Sequence, residues 1–537
     1  MDSRGQDRTG GLPGREPEQD IAPGVTPTGR DDTYVARVAR GAGISTLGQG
    51  VGRLLGFITQ IAISRLFGAE TYGFYSSGVA VVTGAQTVSR FGMENSVVRY
   101  VAHHRAKGDT PRVKGTIVQT VLITLGISLA LGAALFFTAP FVATHLPNSS
   151  PEMATVIRAF AFVLPFFVFM SMVAWATQGF QTVTYAAYVQ QFARPALFLV
   201  LLGVFYLFGR SVTSVIAAYG AAMLLAGLLG VYFLKRLFPP LFDRRVPPKM
   251  ETRELFKVSI PLSIATGARY LDNQSAVLIL TAFAAGAPVG IFNAAARTAT
   301  LSTIVRFAFS GIFSPIISSF YARGELDQLG RLYKDVSRWI FIGAFPIFLV
   351  IVVLGHDILA VFGKDFVRGE SALWIVAVAQ LFSASVGTTP RMLAMTGRQN
   401  IEMVATTSAA ILGVIVSLLL VPHFGIIGAA VGMATAIVAE NAGTMGAVRW
   451  KIGFWPYSPE WLKPLIAGVV AALATYFLGL FFPVHIPIVR VAALGVFLGM
   501  VFLAVLLLLG LSETDREFLR TFWNVARRYL PRRLGRG

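Results

Sequence analysis

Fourteen stretches of about twenty mostly apolar residues recur along the chain, and they limit what it can fold into. A stretch of that length crosses the hydrocarbon core of a bilayer as an α-helix, because a helix satisfies its own backbone polar groups there. With 55% hydrophobic and only 14% charged residues over 537 positions, the sequence is too apolar for a soluble domain. We therefore predict an all-α polytopic membrane protein. The predicted spans lie near 43–64, 72–96, 115–138, 159–176, 184–208, 212–234, 258–282, 288–319, 339–355, 372–390, 403–421, 424–448, 464–482 and 491–511.

The basic residues between these spans predict the topology. Segments on one side of the predicted membrane hold 34 Lys and Arg residues, whereas the loops on the other side hold six. An excess of Lys and Arg is typical of cytoplasmic loops. We therefore expect a multi-pass protein of the cell membrane with both termini in the cytoplasm.

The sequence also repeats itself with a period of six spans. A six-helix period returns the chain to the same side of the membrane, so the two halves are predicted to be parallel repeats about an axis along the membrane normal. Three short matches at offsets of 216 to 218 carry this inference: 106–109 with 322–325, 73–75 with 290–292, and 179–181 with 397–399.

Spans and repeats together predict the organisation of the chain. The N-terminal segment is polar, rich in Gly and Pro, and has no apolar core of a signal peptide. The C-terminal segment has the pattern of an interfacial helix on an anionic leaflet, with a partner-docking helix as the alternative. The predicted parts are a disordered cytoplasmic tail (1–41), an N-lobe of six spans (42–234), a cytoplasmic linker (235–257), a C-lobe of six spans (258–448), two further spans (449–511) and a basic amphipathic tail (512–537).

Several kinds of chemistry have no support in the sequence. The chain has no cysteine, which excludes disulfides, thiolate nucleophiles and Cys-ligated metals. It has no phosphate-binding loop, zinc signature or triad spacing, so we expect neither an enzyme nor a bound cofactor. The net charge of +19 comes mainly from Lys and Arg in the predicted cytoplasmic segments, so no nucleic-acid partner is expected.

Charged residues inside the predicted spans mark candidate functional positions. An arginine keeps its charge at ordinary pH, so within a membrane it faces water, a counter-charge or an anionic ligand. The spans hold twice as many arginines as acids, which predicts a net positive interior. The arginines are Arg53, Arg90, Arg194, Arg269, Arg297 and Arg306, and the acids are Glu94, Asp272 and Glu440.

Two segments near the N-terminus carry a family resemblance. Residues Ile63–Tyr75, read with Arg90–Arg99, resemble the opening of polysaccharide-biosynthesis flippases, the Wzx-like branch of the multidrug/oligosaccharidyl-lipid/polysaccharide exporter superfamily. Tyr270–Asn273 and Val289–Phe292 are similar to the pattern of that family's second half. The resemblance implies two six-helix bundles around a central cavity that opens alternately to either side and moves lipid-linked glycans.

The resemblance gives the buried arginines a predicted role as substrate-binding residues. Arg53 and Arg269 are 216 residues apart, as are Arg90 and Arg306, so the repeat predicts equivalent positions for each pair. Guanidinium groups bind a phosphate or pyrophosphate head group bidentately. An internal ion pair of Arg90 with Glu94 is an alternative to such a contact.

The remaining arginines have alternatives of their own. Arg269 is three residues from Asp272 and pairs with it in one reading. Arg194 precedes a proline and either binds cargo or satisfies carbonyls that the kink frees. Arg297 and Arg306 are nine residues apart, which is two and a half helical turns. On a straight helix at most one of them lines the cavity, and Arg306 is preferred.

Acidic residues within the spans suggest coupling to an ion gradient. Asp272, beside Asn273 and Gln274, suits a proton or Na⁺, and pairing with Arg269 is the alternative. Glu440 is a second ion-coupling candidate.

The function predicted from the sequence is translocation of a polyprenyl (pyro)phosphate-linked oligosaccharide through a cationic central cavity. The partners expected are this lipid, membrane lipids and glycan-assembly enzymes. The alternatives are a flippase for a lipid II-type peptidoglycan precursor, a multidrug or metabolite antiporter of the same superfamily, and a membrane-embedded glycosyltransferase or polymerase. The antiporter would favour buried acids over arginines, and the glycosyltransferase would need long outer loops.

Overall fold

The computed structural model describes residues 31–145, 151–484, 486–510 and 514–516. Side chains are described from residue 50 onward, apart from those at 261, 264, 265, 311 and 312. This part of the chain consists of helices joined by short connections and contains no strand. The predicted all-α fold is confirmed.

Helices of the first half pair mainly with neighbours of the same half. α3 packs on α4, and α4 and α6 pack on α7. A π-helical segment, Tyr188–Ala193, joins α5 to α6. The helices are α1 Asp31–Arg90, α2 Met93–Ala106, α3 Thr110–His145, α4 Pro151–Gln178, α5 Thr184–Ala187, α6 Arg194–Tyr206 and α7 Val212–Leu237.

The second half begins at α8 after the linker. Within it α15 packs on α16, α13 packs on α16 and α11, and the last two helices pack on each other and on α11. The helices are α8 Thr252–Phe283, α9 Ala287–Ala299, α10 Thr303–Ala322, α11 Leu326–Val353, α12 Gly355–Phe362, α13 Glu370–Val386, α14 Thr389–Met395, α15 Gln399–Phe424, α16 Ile426–Lys451, α17 Leu462–Phe481 and α18 Pro487–Leu508.

Ten helical segments among the described residues are long and apolar enough to cross a membrane. An eleventh is added when Ala287–Ser310 and Phe313–Ala322, which meet at 47°, count as one bent span. The protein is therefore a multi-pass membrane protein, while the count of fourteen spans stays a prediction.

The first helix begins earlier than the sequence predicts. α1 begins at Asp31, inside the segment 1–41 predicted to be a disordered tail, so residues 31–41 are helical. The acidic pair at 31–32 favours a helix start, because carboxylates interact well with the positive end of the helix dipole. Residues 1–30 lie outside the described part, as does most of the C-terminal tail 512–537.

A break at Gly68 divides α1 into two helical segments. Gly68 has φ 85° and ψ 173°, which is not helical and which a residue without Cβ adopts without strain. The two spans predicted at 43–64 and 72–96 meet at this glycine. We call the end of the bundle that holds this turn the Gly68 end. The opposite end, with the basic loop 107–109, is the Gly108 end.

The linker and the start of α8 are fastened to the first half at the Gly108 end. Glu251 accepts from Arg112 at 2.9 Å and lies 3.0 Å from His104. The Ser96 and Ser259 hydroxyls are 2.7 Å apart, which ties α2 to α8. α8 also packs on α1 and α15, so it contacts both halves of the bundle.

A buried arginine ties the last helices to the C-lobe. Arg338 of α11 is 2% exposed and forms ion pairs with Glu460, with Asp515 at 2.7 Å and with Asp335 at 3.4 Å. Asp515 also accepts from the indole N–H of Trp339 at 2.8 Å. Three acidic groups from α11, the α17 entrance and the segment after α18 therefore share one guanidinium.

Candidate functional site

A cavity of about 680 Å³ lies between the two halves of the bundle. Its wall comes from α1, α4, the π-helical segment, α6 and α7 on one side, and from α8, α9, α10, the turn between α9 and α10, α13 and α16 on the other. Four arginines and two carboxylates give the wall a formal excess of two positive charges. The charged residues lining it are Arg53, Arg194, Asp272, Arg297, Arg306 and Glu440.

The two members of each repeat-related arginine pair differ in whether they line the cavity. Arg53 and Arg306 line the cavity, whereas their repeat partners Arg269 and Arg90 are not among its lining residues. Arg90 lies 3.9 Å from Glu94, four residues on and across the break between α1 and α2, so the ion pair that the sequence left open is present. Each pair therefore has one member in the cavity wall and one outside it, and the equivalence of their repeat positions stays a prediction.

Arg297 and Arg306 both line the cavity, so the prediction that at most one of them does is wrong. The prediction assumed one straight helix through residues 288–319. The structure instead has a 3₁₀ turn at Thr300–Ser302 between α9 and α10. A 3₁₀ turn advances by about three residues, not 3.6, and changes the angular relation of residues on its two sides.

The guanidinium groups of three of the four cavity arginines donate no hydrogen bond within the described residues. Arg306 donates to the Ser383 hydroxyl at 2.6 Å. The Arg53 guanidinium lies 4.0 Å from the ring centre of Phe307 and, like Arg194 and Arg297, donates no hydrogen bond within the described residues. The alternative role of Arg194, bonding carbonyls freed at the proline, is therefore not realised.

The two cavity carboxylates come from different helices. Asp272 lies on α8 and Glu440 on α16, where the Thr406 hydroxyl donates to Glu440 at 3.1 Å. No ion pair joins Arg269 to Asp272 in the described structure. The predicted alternative of internal neutralisation is therefore not observed. The described residues contain no group of three or more His, Cys, Asp or Glu that could hold a metal ion.

An uncharged cluster at the Gly68 side of the cavity was missed from the sequence. The Tyr72 hydroxyl donates to the Gln60 side-chain oxygen at 3.0 Å. The Asn293 amide donates to Tyr72 at 3.2 Å and to the Ser76 hydroxyl at 2.8 Å. The available signal was polar residues in apolar spans, with Asn293 directly after the repeated tripeptide 290–292.

The two halves also meet beside this cluster. The Ser77 and Thr281 hydroxyls are 2.8 Å apart. Arg65 donates to the carbonyls of Ala360 and Val361, each at 2.6 Å, which are among the last carbonyls of α12. Side-chain and backbone contacts therefore join the two halves at the Gly68 end, and we call this set of contacts the closure.

Comparison with known proteins gives the family. Residues 38–321, more than half of the chain, match the family described as polysaccharide biosynthesis protein. Stage V sporulation protein B of Bacillus subtilis is 24% identical over 416 residues, which cover 72% of this chain and 79% of that protein. The probable flippase AglR of Haloferax volcanii is 24% identical over 440 residues, which cover 77% of this chain and 83% of that one.

Solved structures show the same fold. The lipid II flippase MurJ in an inward closed conformation aligns with a TM-score of 0.65 at 12% identity, and the alignment covers 86% of this chain and 98% of that one. At this identity the similarity concerns the fold alone. Family match and fold together confirm the resemblance read from the opening segments: the chain belongs to the polysaccharide biosynthesis protein family.

Proposed function

We propose that the protein is a flippase that moves a lipid-linked oligosaccharide across the cell membrane by alternating access through the central cavity. The observation that carries this proposal is the set of three cavity arginines whose guanidinium groups donate no hydrogen bond within the described residues, Arg53, Arg194 and Arg297. A guanidinium within a membrane protein needs a counter-charge or water, and an anionic cargo supplies the former. The sequence similarity to the probable flippase AglR supports the same class of function.

The head group of the cargo is proposed to be a polyprenyl phosphate or pyrophosphate. Phosphate oxygens accept two parallel hydrogen bonds from one guanidinium, a geometry that an ammonium group does not offer. Arg53 and Arg194 approach the cavity from one half of the bundle, and Arg297 and Arg306 from the other. A head group between them would bridge the two halves.

The Gly108 end is proposed to face the cytoplasm, since the 34 to 6 distribution of Lys and Arg favours it. Cargo would then be supplied at that end by glycan-assembly enzymes, which are the proposed protein partners, and membrane lipids would surround the bundle. Both chain termini would lie in the cytoplasm.

Asp272 and Glu440 are the proposed ion-coupling groups. Both carboxylates line the cavity that holds the cargo, so an ion bound to either changes the charge that the cargo meets. A proton or Na⁺ gradient would then be linked to cargo binding. The variant Asp272→Asn should make transport independent of the gradient; unchanged transport with unchanged gradient dependence would remove this part of the proposal.

Two other cargo classes compete with the proposed one. A lipid II-type precursor carries the same anionic head group, and the fold similarity to MurJ keeps it as the second candidate. A cationic drug would meet four arginines against two carboxylates, which disfavours a multidrug antiporter.

The test is chemical identification of the glycan lipid that accumulates when the gene is removed. We expect a polyprenyl-linked oligosaccharide, which re-expression of the wild-type chain clears. Arg53→Ala should fail to clear it, whereas Arg269→Ala, at the repeat position predicted to be equivalent but outside the cavity, should succeed. Accumulated lipid II would favour the second candidate. Loss of drug export without any accumulated glycan lipid would contradict both.

A further inference from the structure

The cavity has an uncharged region, distinct from its arginines, where it approaches the Gly68 end. Gln60, Tyr72, Ser76 and Asn293 all line this region. Tyr72 is fully buried, whereas Gln60 and Asn293 are partly exposed to the cavity. Each side chain ends in an amide or a hydroxyl, so the region offers donors and acceptors without a formal charge.

The hydrogen bonds in this region connect the two halves of the bundle. Asn293 belongs to α9, while Tyr72 and Ser76 belong to α1, and one amide group donates to both hydroxyls at 3.2 and 2.8 Å. The bonds lie next to the contact between Ser77 and Thr281. Part of the closure at this end therefore consists of polar contacts that are accessible from within the cavity.

Sugar hydroxyls are chemically suited to replace these bonds. A hydroxyl donates and accepts, as an amide does, and a neutral site avoids the desolvation cost that a charged side chain imposes on a neutral ligand. A buried amide whose partner is withdrawn costs about 1–3 kcal/mol unless another group takes the bond. A bound sugar can take that bond while the two halves separate.

We propose that Gln60 and Asn293 form a glycan-binding subsite, and that a sugar bound there takes over the hydrogen bonds of Asn293 and releases the closure at the Gly68 end. This inference rests on the proposed function. Cargo binding is then divided: the arginines hold the phosphate, and the uncharged subsite senses whether a sugar is attached. A lipid phosphate without its glycan would bind and leave the closure in place.

The absence of cysteine allows a direct test. The double variant Ser77→Cys/Thr281→Cys carries the only two thiols, at positions whose hydroxyl oxygens are 2.8 Å apart, and a disulfide between them reports closure. The full chain in proteoliposomes is oxidised with no addition, with a polyprenyl pyrophosphate that carries no sugar, or with the same lipid carrying an N-acetylhexosamine disaccharide.

We expect the sugar-bearing lipid to slow disulfide formation about tenfold and the bare lipid to leave it unchanged, as loss of about 1.4 kcal/mol of closure would do. Equal rates of disulfide formation with the two lipids would contradict the proposed subsite. In parallel, binding of radiolabelled bare lipid is measured for the wild type and for Arg53→Ala. We expect the variant to bind this lipid more weakly. If neither lipid binds in an Arg53-dependent manner, the proposed function fails, and the subsite fails with it.

A matched pair of variants identifies the residue. Asn293→Ala should abolish the difference between the two lipids and lower their affinity ratio about tenfold. Asn273→Ala also removes an amide from the cavity wall, but that amide bonds the Arg269 carbonyl of its own helix at 2.7 Å and does not connect the halves. Asn273→Ala should leave the difference between the two lipids unchanged.

The affinity ratio is measured without the introduced cysteines, so the test remains valid if the double variant folds poorly. Equal behaviour of the two variants would contradict the proposal.

Discussion

Gly73 and Gly290, equivalent residues of the two repeats, pack directly against each other across the bundle. A Cβ built on either glycine would lie 2.9 Å from the backbone nitrogen of the other. Real Cβ atoms do not approach that closely, so the backbone of α1 and that of α9 touch at this point because both residues lack a side chain. The repeat noticed in the sequence is therefore also a contact.

A side chain at this contact should hold the two halves apart. We expect Gly73→Leu or Gly290→Leu to lower transport at least about tenfold, as overpacking that costs about 1–3 kcal/mol would do. The measurement is clearance of accumulated glycan lipid, with protein abundance in the membrane as a check. Gly126→Leu is the control, because a Cβ at Gly126 meets no atom within 4 Å. Full transport by both test variants would show that this contact is dispensable.

Removing Arg338 should destabilise the C-terminal helices. Its loss leaves Asp335, Glu460 and Asp515 without their shared counter-charge, and breaking a buried ion pair from one side costs about 3 kcal/mol. We expect a clear drop in the thermal unfolding midpoint of Arg338→Ala in detergent. Lys257→Ala is the matched control, since it breaks one exposed pair that contributes about 1 kcal/mol or less. Equal midpoints for the two variants would contradict a central role for Arg338.

His104 should make stability depend on pH at the Gly108 end. Burial lowers the pKa of His104, although Glu251 acts in the opposite direction, while His103 and Arg112 lower it further. Below the ordinary histidine pKa of about 6.5 the unfolded chain binds more protons than the folded one, so stability falls as the pH drops.

The measurement is the unfolding midpoint at about pH 7.5 and about pH 5.5 for wild type and His104→Gln. The wild type should lose more stability on acidification than the variant. His356→Gln alters an exposed histidine and should behave like wild type. A larger loss in His104→Gln would mean that the attraction of Glu251 outweighs burial.

Arg65 should stabilise closure at the Gly68 end. Its two hydrogen bonds end on carbonyls of the last turn of α12, where a positive charge is favourable. Since the side chain is exposed, we expect Arg65→Ala to weaken closure by only about 1 kcal/mol, or about fivefold in the closed-to-open ratio. The rate of Ser77→Cys/Thr281→Cys disulfide formation measures this. Arg158→Ala, whose guanidinium lies over Phe136, is the control and should leave the rate unchanged.

Hydropathy and repeats predicted the helical fold because both are properties of the local sequence. The six arginines were recognised for the same reason, since a charge in an apolar span is visible without a structure. Their assignment to the cavity required more: the 3₁₀ turn at Thr300–Ser302 brings Arg297 and Arg306 to one wall. Nothing in the pattern of residues 288–319 indicates that turn.

The sequence does not indicate the uncharged subsite, because packing between helices brings its residues together. Gln60 and Tyr72 lie on α1, but Asn293 is more than 200 residues away and joins them only after α9 packs on α1. Polar residues at single positions in a span are compatible with many environments. Tertiary packing, and not composition, turns them into a cluster.

The unequal arginine pairs have a consequence for the number of positions in which a head group could bind. Had each repeat kept its own copy of the cationic wall, a head group would find two equivalent positions related by the pseudo-twofold axis. With Arg53 in one half and Arg306 in the other, and with Arg90 and Arg269 elsewhere, only one such position remains. The proposed cargo would therefore bind in a single orientation between the two repeats, although the backbone around it is duplicated.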